Sequence, residues 1–483
     1  MTGSATKQPR AGLCGCGRRR TKIVATLGPA SRDEEALGQL LEAGMDVARI
    51  NLSHGSMDQH AAAIATARRL AAERAVPLAV LIDLPGPKLR LGDLPGPLAV
   101  SAGQTLTLGV PPAAQIPVNF PELLPCFTPG ELVLIDDGAM ALRVSAVAPG
   151  VVTLEPLNDG VVTSRKGVNL PDTQLPAGAL TDADHEFLAW GLRQDVDYVA
   201  LSFVRGADDV RELKELIAAA GGDQLVIAKI EKKEALGAYE DIIAAADGVM
   251  VARGDLGVEV DPATVPIWQK RIIHAAVAAG KPVITATQML QSMIDAPRPT
   301  RAEASDVANA IYDATGAVML SGETAVGSYP IEAVRTMDRI ALAVEEDIER
   351  TGRAPQPWTE TRSGVSTAIS HGACEVAERV GAAAIVTATF SGATARAVAR
   401  SLPAQPIVAV SPNRRVVNQL ALCWGVCPLL GERHGSFEEV VIEANDLVLA
   451  GGFGDPGEVV VITAGLQTNQ SGTTNLIKAH VLD

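Results

Sequence analysis

The chain has no excess of positive charge. Of its 483 residues, 41 are Lys or Arg and 56 are Asp or Glu, so 41 − 56 gives a formal charge of −15. Phosphate backbones and anionic lipid headgroups repel such a surface. Non-specific nucleic-acid and membrane-surface binding are therefore excluded, while a local basic pocket for a phosphorylated small molecule is not. No apolar run approaches the ~18–20 residues of a membrane-spanning helix. Residues 1–20 carry Arg10, Arg18, Arg19 and Arg20 but no apolar segment of the secretory kind, and a disordered tail is expected there. Heptads, short repeats and low-complexity tracts are absent. Cysteine is sparse: Cys14, Cys16, Cys126, Cys374, Cys423 and Cys427 are too scattered for a disulfide framework. Cys423 and Cys427, four apart, would share a helix face. Only His434 lies near enough in sequence to join them on zinc, so all six read as ordinary thiols. What is present, 47% hydrophobic against 20% charged residues, is the balance of a globular core. A cytoplasmic protein of about two to four domains is expected.

Eight short apolar, β-branched runs alternate with Ala/Leu/Glu/Arg-rich helical stretches. They are residues 22–27, 47–52, 77–84, 198–204, 224–230, 248–252, 282–287 and 317–320. Strands that alternate with helices pair in parallel, and eight such units predict an α/β fold built on a (β/α)8 TIM barrel spanning 21–86 and 172–350. The spacing breaks once. Residues 87–171 are rich in Gly, Pro, Val and Leu, with Pro-Gly and Asp-Gly turn signals, and predict an all-β lid, a small β-barrel, inserted in a barrel loop. A linker holding Pro355 and Pro357 leads to a second α/β unit, a doubly wound sheet over 363–483 that ends with strand 459–464.

The informative positions are the C-terminal ends of the barrel strands, where residues i, i+2 and i+4 share a face. The second strand ends Arg49, Asn51, Ser53, followed by His54. The third ends at Asp83. The fifth presents Lys229 and Glu231, and the sixth runs into Arg253-Gly254-Asp255-Leu256-Gly257. The seventh presents Thr285 and Thr287, and the eighth Ser321-Gly322-Glu323. Glu231 and Asp255 are hard oxygen ligands from neighbouring strands and suit a magnesium ion that keeps positions for substrate and water. Lys229 shares Glu231's face, Gly254 permits close backbone approach to an anion, and Arg49 can grip a phosphate or carboxylate. A metal, a lysine and an arginine round one anion point to phosphoryl transfer or enolate chemistry. Any single pair could instead be a structural ion pair, Gly254 and Gly257 plain turn residues, the two threonines ordinary strand residues and His54 a local hydrogen-bonding group. Six polar strand ends together argue for a site.

At these residues the sequence resembles the pyruvate kinases. The segments that carry the resemblance are Thr21–Ser31, Ala48–Gly55, Ala228–Glu231, Met250–Gly257, Ala286–Leu290, Pro297–Glu303 and Leu320–Thr324, which follow in the family's order. The resemblance implies transfer of phosphate from phosphoenolpyruvate to ADP, giving pyruvate and ATP, in a homotetramer with Mg2+, or Mn2+ in its place. It implies that Glu231 and Asp255 hold the cation. Gly254, Asp255 and Thr287 would hold the substrate carboxylate, and Arg49 and Lys229 the phosphoryl group. Thr287, with Ser321 and Glu323, is the implied proton route. Arg90, Lys166, Asn51 and His54 match nucleotide contacts. The family's potassium pocket corresponds to Asn51, Ser53, Asp83 and the Leu84 carbonyl. Here Lys88 replaces a glutamate that accompanies that ion, so its ammonium is expected to stand in for K+. In the C-terminal unit, Thr389, Ser391, Gly392 and Thr394, with Gly472 and Thr473 of a second loop, form an expected site for a phosphorylated effector, a sugar phosphate or AMP. These could also be capping and turn residues. Two other readings stand beside the kinase: a magnesium-dependent pyruvate-enolate lyase or aldolase, which needs neither Arg90, Lys166 nor the extra domains, and a non-catalytic metabolite sensor.

Overall fold

A computed structural model describes residues 19–173, 178–352, 364–465 and 474–483. Eight parallel strands close into a barrel in sequence order: β1 (Lys22–Leu27), β2 (Val47–Asn51), β3 (Ala79–Asp83), β4 (Tyr198–Leu201), β5 (Leu225–Ile230), β6 (Gly248–Ala252), β7 (Val283–Ala286) and β8 (Ala317–Leu320). These strands read as continuous apolar runs because both of their faces are buried. Outward residues such as Ile23, Ile50, Ile82, Val199, Val226, Val251 and Val318 pack under the surrounding helices. Inward residues such as Val24, Val47, Leu81, Ala200, Ile227 and Met250 fill the lower barrel. The alternation then does the positioning. Two residues beyond Val24, Val47, Leu81, Ala200 and Ile227 stand Thr26, Arg49, Asp83, Ser202 and Lys229, so the same inward column turns polar toward the C-terminal mouth.

The opposite end is plugged by the C-terminal domain. Ala421 and Leu422 join the inner cluster of the barrel. The Tyr198 hydroxyl donates to the Gln419 carbonyl at 2.6 Å, and the fully buried Lys22 ammonium donates to the Val426 carbonyl at 2.8 Å. Arg415 pairs with Asp195 and Asp223 across the same boundary. Of the disordered tail expected over 1–20, only Arg19 and Arg20 are among the described residues, and both are held by the barrel. Arg19 is buried and bonded to Asp46 and Asp338, and the Arg20 backbone N–H donates to Glu345.

The C-terminal domain is a five-stranded sheet. It comprises β9 (Ala384–Ala388), β10 (Ile407–Ser411), β11 (Val426–Leu430), β12 (Val459–Gly465) and β13 (Thr474–Val481), in the order β11-β10-β9-β12-β13. β12 does not end the unit as expected, since β13 adds to it antiparallel. Cys427 lies on β11 and Cys423 just before it, so they share no helix face; neither is in a disulfide, nor are Cys126 and Cys374.

Between β3 and β4 lies the insertion. Its strands form a six-stranded sheet over one apolar core, with a separate two-stranded ladder (Leu98–Val100 with Gly160–Val162). The outer strands of that sheet, Ile116–Pro117 and Val168–Asn169, are both met by segment 89–92, where Leu91 bridges Val118 and Arg90 bridges Gly167, so one edge of the sheet is linked to the other. The Asn169 amide reaches Glu259 of the barrel at 3.4 Å, and Glu259 pairs with Lys232 at 2.8 Å, so the insertion is tied to the barrel close to β5. No helix among the described residues is long and apolar enough to cross a membrane.

Candidate active site

The barrel mouth holds a compact set of opposed charges. The Lys229 ammonium donates to Ser202 Oγ at 2.7 Å and lies 3.3 Å from both Asp83 and Glu231, whose side chains are 2% and 1% exposed. Arg49 grips Asp83 through Nε at 2.8 Å and Nη2 at 2.6 Å, and gives Nη1 to the Thr26 hydroxyl. Lys88 enters from the start of the insertion and pairs with Asp255 at 2.6 Å. Glu231 Oε1 accepts the Phe203 N–H, whereas the buried Glu231 Oε2 has no hydrogen-bond partner beyond the Lys229 ion pair.

These neighbours set the protonation states. Burial would push the Asp83 carboxyl up, but Lys229 and Arg49 outweigh it and hold Asp83 below the ordinary value. Asp255 behaves likewise: burial opposes ionisation, and Lys88 and Lys229 prevail. Burial would also discharge Lys229, but Asp83 and Glu231 raise its affinity for the proton. Glu231 is pushed up, first by burial and, against the pull of Lys229, by the neighbouring Asp255 charge. A carboxylate that is costly to ionise alone, with an orphaned oxygen, beside a second carboxylate, fits a divalent cation. Among the described residues no three His, Cys, Asp or Glu cluster as a closed metal cage. Two protein carboxylates suit a magnesium-type site that draws its remaining ligands from substrate and water.

Thr287 is held in a conformation rare for a β-branched residue, with φ +67°, followed by Gln288 at +56°. Its hydroxyl accepts the Gly254 N–H at 2.7 Å and donates to the Ala286 carbonyl at 2.6 Å. Arg253 braces this turn by donating to the Ala286 and Thr287 carbonyls, and pairs with Asp306. Thr285 points away from the mouth and bonds Thr315 at 2.8 Å, because Ile284 and Ala286 take the inward positions of β7.

Ser321 and Glu323 flank β8. Glu323 is fully buried and both its oxygens are occupied, Oε1 by the Leu290 N–H and Oε2 by the Ser321 N–H. This is the bonding of a carboxylate that fixes two loops. Of the expected nucleotide contacts, Arg90 and His54 come together. The imidazole pKa is lowered by burial and then by the nearby Arg90 and Arg49 charges. Arg90 bridges to Gly167 in the backbone, which brings Lys166 alongside, although the Lys166 ammonium pairs with Asp136 at 2.9 Å. Asn51 accepts the Ser53 N–H, and the Leu84 carbonyl is taken by Ser202 Oγ at 2.6 Å. The Lys88 ammonium therefore sits on Asp255 and bonds none of Asn51, Ser53, Asp83 and Leu84 among the contacts seen.

In the C-terminal domain Thr389 donates its N–H to Val410, Gly392 has φ +80°, and the Thr394 hydroxyl bonds Thr474 at 2.7 Å. The Ser391 carbonyl accepts from Arg396. Gly472 and Thr473 lie outside the described residues. Ser202 is absent from the expected site, and Arg253 is named there only as the residue that ends the sixth strand, with no role. Ser202 was legible, since it follows Tyr198 and Ala200 on the inward face of β4. Arg253 acts through tertiary carbonyls that no local spacing reveals.

Fold and mouth together define a barrel enzyme that handles a small anion among paired charges. The family models agree: "Pyruvate kinase, barrel domain" matches residues 18–334 and "Pyruvate kinase, alpha/beta domain" matches residues 367–480. The chain is 41% identical to a pyruvate kinase of Clostridium acetobutylicum, over 96% of this chain and 100% of the relative. It is 44% identical to one of Geobacillus stearothermophilus (96% and 81%) and 44% identical to pyruvate kinase 2 of Synechocystis sp. (96% and 79%). The chain belongs to the pyruvate kinase family and is a phosphotransferase.

The bonding of Glu323 makes a separable expectation. Glu323→Gln replaces one backbone-bonded carboxylate oxygen with a donor facing an N–H, so thermal stability should fall by roughly 1–3 kcal/mol. The pH dependence of kcat should keep its shape. A lost or displaced acidic or basic limb would show that Glu323 titrates during turnover.

Proposed function

We propose that this chain transfers the phosphoryl group of phosphoenolpyruvate to ADP with a divalent cation, Mg2+ or Mn2+, and without a requirement for K+. The observation that carries the reading is Lys229, lodged between Asp83 and Glu231 beside a Glu231 oxygen that no hydrogen bond satisfies. Glu231 and Asp255 would hold the cation, which when bound neutralises charge on the substrate's carboxylate and enol oxygen.

The chain's own groups do the rest. Arg49 and Lys229 present fixed positive charge to the transferring phosphoryl group. As an ADP oxygen bonds to phosphorus and the bond from phosphorus to the enol oxygen breaks, the Lys229 ammonium stabilises the enolate that departs. Because Asp83 and Glu231 keep Lys229 charged, it acts as an electrostatic group and not as a base. The Gly254 N–H and the Thr287 hydroxyl orient the substrate carboxylate. The enolate then takes a proton at carbon from water held by Thr287, and pyruvate results. Arg90, His54, Asn51 and Lys166 would receive the nucleotide phosphates, with the insertion closing over them to exclude water. The Lys88 ammonium supports potassium independence, since it adds fixed positive charge beside the metal carboxylates. The same reading extends to a cytoplasmic homotetramer whose C-terminal turn at Thr389, Ser391, Gly392 and Thr394 takes a phosphorylated effector.

Two measurements test this. In a coupled assay with phosphoenolpyruvate, ADP and Mg2+, the unaltered chain should form pyruvate. Lys229→Met should lower kcat by about 10²–10³ or more, as loss of a preorganised electrostatic donor does; near-normal turnover would refute the role of Lys229. In the same assay, rates in potassium and in tetramethylammonium should agree within about tenfold, a difference of some 1.4 kcal/mol. A larger potassium stimulation would refute the role of Lys88.

A further inference from the structure

We propose a second anion site, in the cleft where the base of the barrel meets the C-terminal domain, suited to a small phosphate-bearing ligand. The cleft encloses about 670 Å³ counted to its open mouth. Its polar lining is Asp247 and Lys281 from the barrel and Thr367, Arg396 and Arg400 from the C-terminal domain. It is distinct from the charged barrel mouth, and none of Thr389, Ser391, Gly392 and Thr394 lines it. The inference does not depend on the reaction proposed above.

Three features argue for it. The first is charge. Asp247 is the cleft's only carboxylate among the residues that line it, and it is already committed: one oxygen pairs with Lys214 at 2.8 Å and the other accepts the Val226 N–H at 2.9 Å. Lys281 lies within electrostatic reach of Arg396, with Arg400 on the same lining, in a chain that is acidic overall, and clustered positive charge of this kind concentrates small anions.

The second is an anchored cation. Arg396 lies on helix Ala393–Ala399 and gives Nη2 to the Ser391 carbonyl at 2.9 Å. Its Nη1 is buried beside Gly392, so what Arg396 brings to the cleft is a positive charge fixed in place by the Ser391 turn.

The third is the state of Lys281. Its ammonium donates to the Ala246 carbonyl at 2.7 Å. Its affinity for the proton is lowered by burial and by the like charges of Lys214 and Arg396, against the opposing pull of Asp247. An anion in the cleft would relieve that repulsion. Thr367, in the first turn of helix Val365–Val380, adds a hydroxyl to the lining from the C-terminal domain. A cleft of this volume with few cations suits a small phosphate or phosphate monoester.

Calorimetric titration of the full-length protein with inorganic phosphate tests the site. The rim residues are changed one at a time, Lys281→Met and Arg400→Gln, because substitution of the more central Arg396 risks disturbing the Ser391 turn. Circular dichroism and melting curves check that each variant folds. The unaltered protein should bind phosphate saturably at millimolar or lower concentration. Each variant should bind at least tenfold more weakly, while Arg379→Gln, which removes an exposed charge of helix Val365–Val380 outside the cleft, should keep the unaltered affinity. Unchanged affinity in either rim variant, an equal loss in Arg379→Gln, or no saturable binding by the unaltered protein would overturn the proposal.

Discussion

The structure depends on ion pairing inside a barrel that is otherwise apolar. Asp83, Glu231 and Asp255 face Arg49, Lys229 and Lys88 at the mouth, and the links among them run from 2.6 to 3.3 Å. Charges this deeply buried persist only when each has a partner. Removing one member of such a pair costs about 3–5 kcal/mol because the other is left uncompensated. The cluster is therefore mutually enforcing. Asp83 holds both Arg49 and Lys229, and together with Glu231 it keeps the lysine charged. Formal charge within these six groups balances, so an incoming cation and an anionic substrate can be accommodated as a second balanced pair.

That cluster is useful only because the surrounding elements fix its geometry. On β1 to β5 the inward column places a polar residue two positions beyond an apolar residue that is locked in the lower barrel. The Thr287 turn, strained at φ +67°, is braced by Arg253 through two carbonyls. At the far end, Ala421, Leu422, the Gln419 carbonyl and the Val426 carbonyl seal the barrel with parts of the C-terminal domain. The two domains therefore share a core and a set of buried hydrogen bonds, and a ligand bound between them would act on elements that both sides hold.

Much of this was legible in the sequence, for a physical reason. Parallel strands buried on both faces leave apolar runs with sharp polar ends, so β1, β6 and β8 could be read to the residue. The same alternation placed Arg49, Asp83, Lys229 and Glu231 at one mouth. It would also have yielded Ser202 had the fourth strand been followed to its end. What stayed hidden depends on contacts distant in sequence. Arg19 and Arg20 look like a basic tail until Asp46, Asp338 and Glu345 meet them. Glu323 reads as a candidate acid until two backbone N–H groups occupy it. Lys88 reads as a partner of the Asn51 and Asp83 pocket, whereas the folded chain sets it on Asp255. The insertion's strands were visible, but the short segment 89–92 that joins its two outer strands was not, because it makes only isolated bridges with no strand-length pattern of its own.

The central claim is that Glu231 and Asp255, held among these paired charges, share one divalent cation. The most direct measurement is titration of Mn2+ into the full-length protein with phosphoenolpyruvate present, followed by the electron paramagnetic resonance of the free ion. The account requires Glu231→Gln and Asp255→Asn each to weaken Mn2+ binding by at least tenfold, about 1.4 kcal/mol. Unaltered Mn2+ affinity in either variant would contradict it.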